Sequence, residues 1–340
     1  MTRGQSPLLL LTPALAALSC SQPFIGDTGI RRFGFDLWDV HCPSGLRVVF
    51  EKDSAAGAIG VVTVVGVGSA EDPPGKEGLA HLVEHLAFRA RHRQGPTVWD
   101  QMERLGATDL NAGTTFEATT YHEFAAKSRL DAILQLEGDR FTNPLEAVDE
   151  PTFTVEREVV RNELRQRNET GFTGQALNWI QAAVFPADHP YHHGVAGTHQ
   201  SLSAITLDDA RRFAAQHYRP DNMTMLVIGD VSLDGVEDFV RAHWPPALYG
   251  DPRKPVSPPA SRVPNPAPAV PQVKPAGLER HQAAVSNPEA WVAWSIPGGF
   301  GRDKFIAAFW AALVAGNFNQ GRFTDDPDIV DVSFHPIDGP

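Results

Sequence analysis

Strand-like and helix-like patterns of apolar residues alternate between about residues 33 and 244. Residues 46–50 and 59–67 have the composition and alternation of strands, and the odd-numbered positions of the second run are predicted to line one face. Prolines and a glycine at 73–75 then interrupt the chain, and apolar residues recur at helical spacing from Gly78 onward. The pattern therefore predicts a main domain of mixed strands and helices.

Two further blocks follow the main domain. Residues 245–275 are rich in proline, a composition unsuited to a helix or a central strand, so we predict an extended linker there. Residues 276–340 begin a second unit, with a strand pattern over 290–296 and a helix pattern over 304–315. One strand and one helix cannot bury a core of their own. We therefore predict an incomplete second domain at the carboxyl end.

Residues 1–20 have the pattern of a secretory signal peptide. Arg3 precedes an apolar run that is too short to span a bilayer, and residues 17–20 (Ala-Leu-Ser-Cys) resemble a bacterial lipobox. Cys20 would then be the lipidated first residue of a protein on the periplasmic side of the bacterial cell envelope. Cleavage without lipidation, or a disulfide between Cys20 and Cys42, are the alternatives.

The charge and the cysteine content argue against nucleic-acid binding and against a cysteine-based zinc site. The chain has 29 Lys and Arg residues against 41 Asp and Glu residues, a formal net charge of −12, which argues against a nucleic-acid binder. It has 2 cysteines, too few for a thiolate zinc site. The only membrane contact expected is through the lipid on Cys20.

The predicted helix that begins at Gly78 has a second, polar face. His81, Glu84, His85 and Phe88 stand at positions i, i+3, i+4 and i+7, so both imidazoles and one carboxylate project together. Two histidines one turn apart can bind one zinc ion, and the carboxylate between them is placed to act as a general base toward water. This H-x-x-E-H order occurs in metallopeptidases, and a solvated cluster is the alternative.

A second helix offers a third metal ligand. Residues 153–167 have helical spacing, and Glu156 and Glu163 fall within the apolar side of that helix, two turns apart. The apolar side consists of Phe153, Val159, Val160 and Leu164. Buried carboxylates are unfavourable unless they are paired or bound to a metal. The alternative is that both glutamates form internal salt bridges with arginines.

The sequence as a whole resembles a known family. The pentapeptide at 81–85, with Gly78-Leu79-Ala80 before it and Phe88 after it, is similar to the zinc helix of the pitrilysin-type metallopeptidases, which include insulin-degrading enzyme and the mitochondrial processing peptidases. Residues 156–163 resemble the distal E-R-x-x-V-x-x-E segment of that family. Further similarities, in the usual order of the family, occur at 44–49, 66–69, 189–191, 197–198, 218–223 and 229–230.

The resemblance implies a fold and a set of site residues. The fold is α+β, a mainly antiparallel sheet flanked by helices of the LuxS/processing-peptidase-like metallohydrolase type, with an incomplete second domain of the same kind. One Zn²⁺ per chain is expected, held by His81, His85 and Glu163, with Glu84 as the general base. Glu156 is expected to support the ligands from outside the metal's own ligand shell.

The resemblance also implies how substrate is held. Residues 114–124 resemble the family's exposed sheet edge beside the zinc, with Asn111 and Ala112 as the substrate-binding residues. Pairing with a sheet edge reads the peptide backbone, so extended peptides or small unfolded proteins are the expected substrates. The family encloses its substrate with a second half, which is expected from a longer chain or from a second family subunit.

The predicted function is therefore that of a zinc-dependent endopeptidase. Two alternatives remain: a non-catalytic partner subunit of the same family, and an envelope lipoprotein scaffold in which zinc is purely structural.

Overall fold

The computed structural model describes most of the main domain and little of the rest. Cys20, residues 252–275 of the predicted linker, residues 276–279, and most of the predicted strand and helix at 290–296 and 304–315 lie outside the described residues. The described residues are 25–27, 37–91, 95–142, 144–169, 172–231, 240–242, 244, 246–251 and 280–283, with 291, 293, 309 and 313 as single positions.

The main domain is built on one mixed, mostly antiparallel sheet. Its seven strands are β1 (Ile25–Asp27), β2 (Leu37–His41), β3 (Arg47–Lys52), β4 (Ala58–Val65), β5 (Thr108–Thr114), β6 (Thr119–Ala126) and β7 (Met223–Gly229). They are ordered β1-β2-β3-β7-β4-β6-β5, and among these strands only β3 and β7 pair in parallel. The expectation of a mainly antiparallel α+β domain is confirmed, and β5 is an edge strand.

The described residues also form eight α-helices. They are α1 (Leu79–Ala87), α2 (Val98–Arg104), α3 (Leu130–Thr142), α4 (Glu150–Leu164), α5 (Phe172–Val184), α6 (His199–Ala204), α7 (Leu207–His217) and α8 (Pro246–Tyr249), and a π-helical turn, Arg165–Glu169, continues α4. Along β7 every second residue is buried and those between are half-buried, as expected of a sheet covered on one side. No helix among the described residues is both long and apolar enough to cross a bilayer.

The second predicted strand forms as expected. β4 ends at Val65, and the odd-numbered residues from Ile59 to Val67 are all buried in the core that α1, α3, α4 and α7 share. Thr63 is the one polar member of that row, and its hydroxyl donates a hydrogen bond to Glu137 Oε2 at 2.9 Å. Buried polar groups need such partners.

The linker prediction is wrong at its start. Pro246–Tyr249 is a short helix, and Leu248 and Tyr249 are buried in the core of the main domain. Proline is tolerated in the first helical turn because the amide hydrogens there have no intrahelical partner. The core therefore extends beyond Trp244 to Tyr249, and Gly250 follows with a φ of 90°.

Helix α4 begins earlier than predicted and is rotated slightly. Asp149 caps it by accepting a hydrogen bond from the Thr152 amide at 2.9 Å, and proline stands in its first turn. Val159, predicted to lie on the apolar side, is 37% exposed, whereas Val160 is fully buried. Successive helical residues point about 100° apart, so only one of this valine pair can face the core.

One charged cluster lies inside the core. Arg140 is fully buried; its guanidinium lies 2.5 Å from Glu137 Oε1 and 3.4 Å from Glu123 Oε2, and it packs over the rings of Phe88 and Tyr121. Burial raises the pKa of both carboxyl groups, and their mutual repulsion raises that of Glu123 further. One guanidinium faces two buried carboxyl groups, an arrangement that disfavours the state in which both are ionised.

Candidate metal and catalytic site

Helix α1, which carries the H-x-x-E-H motif, is held in place by a residue outside it. Gly78 precedes the helix with φ at 95° and has no side chain to cap it. The half-buried carboxylate of Asp72 supplies the cap, accepting hydrogen bonds from the amides of Gly78 at 2.7 Å and Ala80 at 2.8 Å. A Cβ at Gly78 would lie 2.7 Å from the Ala196 carbonyl oxygen, which together with its φ makes glycine the residue that fits there.

The motif residues meet on one face of α1, as predicted. His81, Glu84 and His85 each offer one ligand atom, and these atoms lie within 4.8 Å of one another. His81 is 8% exposed and Glu84 5% exposed. Among the described residues, no other group of three or more potential ligands of these types is as close together.

Glu163, on α4, brings a third candidate donor side chain to the two histidines, with one carboxylate oxygen facing each imidazole. Its Oε2 lies 3.7 Å from Nε2 of His81, and its Oε1 lies 3.7 Å from Nε2 of His85. Both distances are too long for hydrogen bonds, but they are close to the spacing of about 3.3 Å between ligands of a tetrahedral zinc ion with bonds of about 2.0–2.1 Å. Two imidazoles and a carboxylate are also donors that zinc prefers. The residues present therefore fit this metal.

The salt-bridge alternative for Glu163 has one candidate. Arg167, one turn further on, has its Nη1 3.7 Å from Glu163 Oε2, but the arginine side chain is 74% exposed. An exposed pair at this distance contributes little to stability. The weak contact with Arg167 does not draw the Glu163 carboxylate away from the two imidazoles.

Glu156 lies behind His85, away from the three donor atoms. Its Oε2 faces Nδ1 of His85 at 3.7 Å, while its Oε1 accepts a hydrogen bond from Nε of Arg89 at 2.7 Å. A carboxylate behind the outer nitrogen of a histidine favours the tautomer that leaves Nε2 free for a metal. Glu156 therefore forms the salt bridge with an arginine that was the alternative prediction, and its partner is Arg89.

The electrostatics of the site separate the roles of the two histidines. Burial, together with the neighbouring charges of His85 and Arg167, lowers the pKa of His81 to about 3, so its ring is neutral and has a free lone pair. Nδ1 of His81 has no hydrogen-bond partner among the described residues. Burial also disfavours a charged His85, but the carboxylates of Glu156, Glu84 and Glu163 outweigh it and raise the pKa of His85.

Glu84 has the environment of a general base. Burial raises the pKa of its carboxyl group, and a hydrogen bond from Thr114 partly opposes that rise. The Thr114 hydroxyl donates to Glu84 Oε2 at 2.5 Å. A carboxylate with a raised pKa accepts a proton more readily at neutral pH.

The exposed edge of the sheet lies elsewhere than predicted. β5 is the edge strand and carries Asn111 and Ala112, whereas β6 is an inner strand that pairs with both β4 and β5. A turn at residues 115–118 therefore divides the run at 114–124 that was expected to be the edge. The side-chain oxygen of Asn111 accepts a hydrogen bond from the Ala112 amide at 2.9 Å.

Three of the residues that build this site were not identified from the sequence. Asp72 and Thr114 act from a loop and a strand, and Arg89 follows the end of α1. Arg89 lies four positions after His85, a helical spacing that could have indicated it. Cys42, the alternative disulfide partner of Cys20, is buried and forms no disulfide within the described part of the chain, which does not include Cys20.

Comparisons with known proteins agree with this geometry. The family model described as Insulinase (Peptidase family M16) matches residues 47–185. This range contains His81, Glu84, His85 and Glu163 and the residues that support them. A second model, described as Peptidase M16 inactive domain, matches residues 204–315. The chain belongs to peptidase family M16. Part of the family's second domain is therefore present, as expected.

Individual M16 relatives are about twice as long as the region they share with this chain. The uncharacterized zinc protease Rv2782c of Mycobacterium tuberculosis is 34% identical over 64% of this chain and 48% of its own length. Zinc protease PqqE of Helicobacter pylori is 30% identical over 59% of this chain and 45% of its own. Human cytochrome b-c1 complex subunit 1 is 28% identical over 70% of this chain and 48% of its own.

Solved structures of proteases have a fold similar to that of this chain. The crystal structure of a protease from Helicobacter pylori superposes with a TM-score of 0.58 at 28% identity, covering 66% of this chain and 53% of that one. Pitrilysin superposes with a TM-score of 0.59 at 20% identity, covering 69% and 26%, which supports the fold alone. This chain spans about half the length of the curated M16 relatives that it matches.

Proposed function

We propose that this chain is the metal-bearing part of a zinc endopeptidase. The observation that carries the proposal is the convergence of His81 and His85 from α1 and Glu163 from α4 at spacings near those of zinc ligands. Zinc bound there would supply Lewis-acid polarisation of the scissile carbonyl and would acidify a water molecule. We assign the metal to these three side chains, one ion per chain.

Glu84 is the general base in this proposal. One of its carboxylate oxygens lies within 4.8 Å of ligand atoms of His81 and His85, its pKa is raised, and it takes the proton of the attacking water. It then passes that proton to the leaving nitrogen. Because water is the nucleophile, no covalent intermediate with the protein forms. Glu156, whose Oε2 lies 3.7 Å from Nδ1 of His85, favours the tautomer of that ring that leaves Nε2 free for the metal.

The proposed substrates are extended peptides or small unfolded proteins. β5 has no strand on its outer side among the described residues, so its backbone is free to pair with a peptide beside Glu84. Asn111 and Ala112 would make that contact, and the Ala112 amide would exchange its bond with the Asn111 side chain for one with the peptide. A second half, from the same chain or from a partner, would close the chamber.

Two substitutions test the metal and base assignments. Glu84→Gln keeps the size of the side chain but removes the base, so zinc should be retained and peptide cleavage abolished. Glu163→Gln should lose zinc. Glu158→Gln, on the same helix and outside the site, is the matched control and should keep both. Zinc is measured by elemental analysis after dialysis, and cleavage with an unstructured peptide; wild-type cleavage by Glu84→Gln would refute the assignment.

A second candidate function is that of a non-catalytic family subunit. The match to human cytochrome b-c1 complex subunit 1 favours it, because that relative is by name a subunit of a larger complex. The presence of the complete H-x-x-E-H motif and Glu163 weighs against it. Cleavage assays of the isolated chain and of its mixtures with M16 proteins from the same source separate the two: a subunit gives no cleavage alone.

The envelope location is also a proposal, and it rests on the amino-terminal sequence. If Cys20 is lipidated, a Cys20→Ser variant should lose labelling by a radioactive fatty acid and leave the membrane fraction. If zinc is instead structural in an envelope scaffold, a chelator should unfold the protein, whereas removal of a catalytic ion should leave the circular dichroism spectrum nearly unchanged.

A further inference from the structure

The last residue of the edge strand β5 contacts the proposed base directly. The hydroxyl of Thr114 donates a hydrogen bond to Oε2 of Glu84 at 2.5 Å, and Glu84 is 5% exposed. An ionised carboxylate can only accept hydrogen bonds, so the hydroxyl must be the donor. This bond joins β5 to α1 beside the metal ligands.

The Thr114 proton has two possible acceptors, Glu84 Oε2 and the hydroxyl of Thr119. Thr119 faces Thr114 across the β5–β6 pair, and its hydroxyl donates to the carbonyl of Val67 at 2.9 Å. The two hydroxyl oxygens lie 3.5 Å apart. Because Thr119 uses its own proton on Val67, its oxygen could only accept from Thr114, but Glu84 Oε2 is much the nearer acceptor, at 2.5 Å against 3.5 Å, and takes the Thr114 proton.

The backbone around Thr114 is fixed as well. The turn that follows β5 is tied to the loop before α1: the amide of Ser69 donates to the Thr115 carbonyl at 3.0 Å, and that of Ala70 donates to the Phe116 carbonyl at 2.9 Å. Gly68 allows this approach, since a Cβ there would lie 2.2 Å from the Thr115 oxygen. Thr114 is therefore presented to Glu84 by a rigid hairpin.

We infer that Thr114 is a positioning residue for Glu84, holding one carboxylate oxygen so that the other is directed at the attacking water. This inference rests on the proposed function of the site. Because β5 is also the edge with which an extended peptide would pair, one strand aligns both the base and the peptide backbone. The scissile bond and the base are thereby brought into register by a single element.

Three variants test the role of Thr114. Thr114→Val has nearly the same shape without the hydroxyl and should lower kcat by about tenfold to a hundredfold, the range for a hydrogen bond to a charged group, with KM within about twofold. Thr114→Ser keeps the hydroxyl and should retain most of the activity. Thr120→Val, the same exchange on the open face of β6, is the control. All three should bind zinc as tightly as the wild type in chelator competition.

Several results would overturn this inference. Wild-type kcat in Thr114→Val would do so, as would an equal loss in Thr114→Ser, because the hydroxyl would then be irrelevant. Loss of zinc by Thr114→Val would indicate a general structural role instead. If the wild-type protein cleaves no peptide, the proposed function fails separately, and crystal structures decide: the Glu84 carboxylate should turn to another rotamer in Thr114→Val and stay in place in Thr114→Ser.

Discussion

Replacing Asp72 with alanine should destabilise the metal-binding helix from a distance. Asp72 lies in the loop before α1, and its carboxylate accepts the first amide hydrogens of that helix, those of Gly78 and Ala80. Gly78, at the capping position, has no side chain that could replace it. Asp72→Ala therefore leaves buried amides at the helix terminus without partners.

The expected loss can be worked out from these contacts. Removing a helix cap typically costs about 1 kcal/mol and at most about 2, and each hydrogen bond to a charged group contributes about 1.5–3 kcal/mol. Burial of the Asp72 carboxylate, which raises its pKa to about 7, offsets part of that contribution. We expect a net loss of about 2 kcal/mol, or about 4–8 °C in Tm for a domain of this size.

The assay is urea unfolding of the zinc-free protein at pH 7, followed by circular dichroism. Glu71→Ala is the matched control: it removes an exposed carboxylate one residue away and should change the free energy of unfolding by less than about 0.5 kcal/mol. Zinc affinity should also fall in Asp72→Ala, because His81 and His85 lie on the uncapped helix. Equal stability of the two variants would refute the capping role.

The same carboxyl group predicts a pH dependence with a defined sign. Its pKa is higher in the folded protein, about 7, than the ordinary value of 3.8, so the folded state binds more protons between these pH values. The free energy of unfolding contributed by Asp72 is then highest below pH 4 and falls as pH rises to 7. The difference between wild type and Asp72→Ala should follow this trend; a difference that grows toward pH 7 would contradict it.

Further predictions concern the support of His85 and the buried charge cluster. Glu156→Gln should weaken zinc binding by about tenfold to a hundredfold in chelator competition, because the His85 ring loses its orienting carboxylate, whereas Glu158→Gln should not. Equal affinities would contradict that role. Arg140→Met should lower the free energy of unfolding by about 3–5 kcal/mol, because it leaves two buried carboxyl groups without their cation. A loss below 1 kcal/mol would mean that the cluster is not coupled as described.

The metal site could be predicted where its signal was local. His81, Glu84 and His85 share a helix face by spacing alone, and Glu163 stood out as a carboxylate among apolar positions. The residues that support them could not be found this way. Asp72 and Thr114 reach α1 from a loop and from a strand, and such tertiary contacts leave no periodic pattern.

The errors in the predicted elements also have physical causes. The edge strand was misplaced because the turn after β5 contains neither glycine nor proline; instead the Thr115 hydroxyl accepts the amide hydrogens of Glu117 and Ala118. The predicted linker starts too early because its proline content was the basis of the prediction. Leu248 and Tyr249 are buried, but their burial depends on the packing of the core and is not evident from local composition. Both errors arise where local composition and tertiary packing disagree.

The most direct test of the zinc site is a crystal structure of the zinc-loaded protein with anomalous diffraction measured on both sides of the zinc absorption edge. One ion is expected about 2.0–2.2 Å from Nε2 of His81, Nε2 of His85 and a carboxylate oxygen of Glu163. Glu84 should lie nearby without binding the metal. A zinc ion held by Glu84 in place of Glu163, or bound away from α1, would contradict the account.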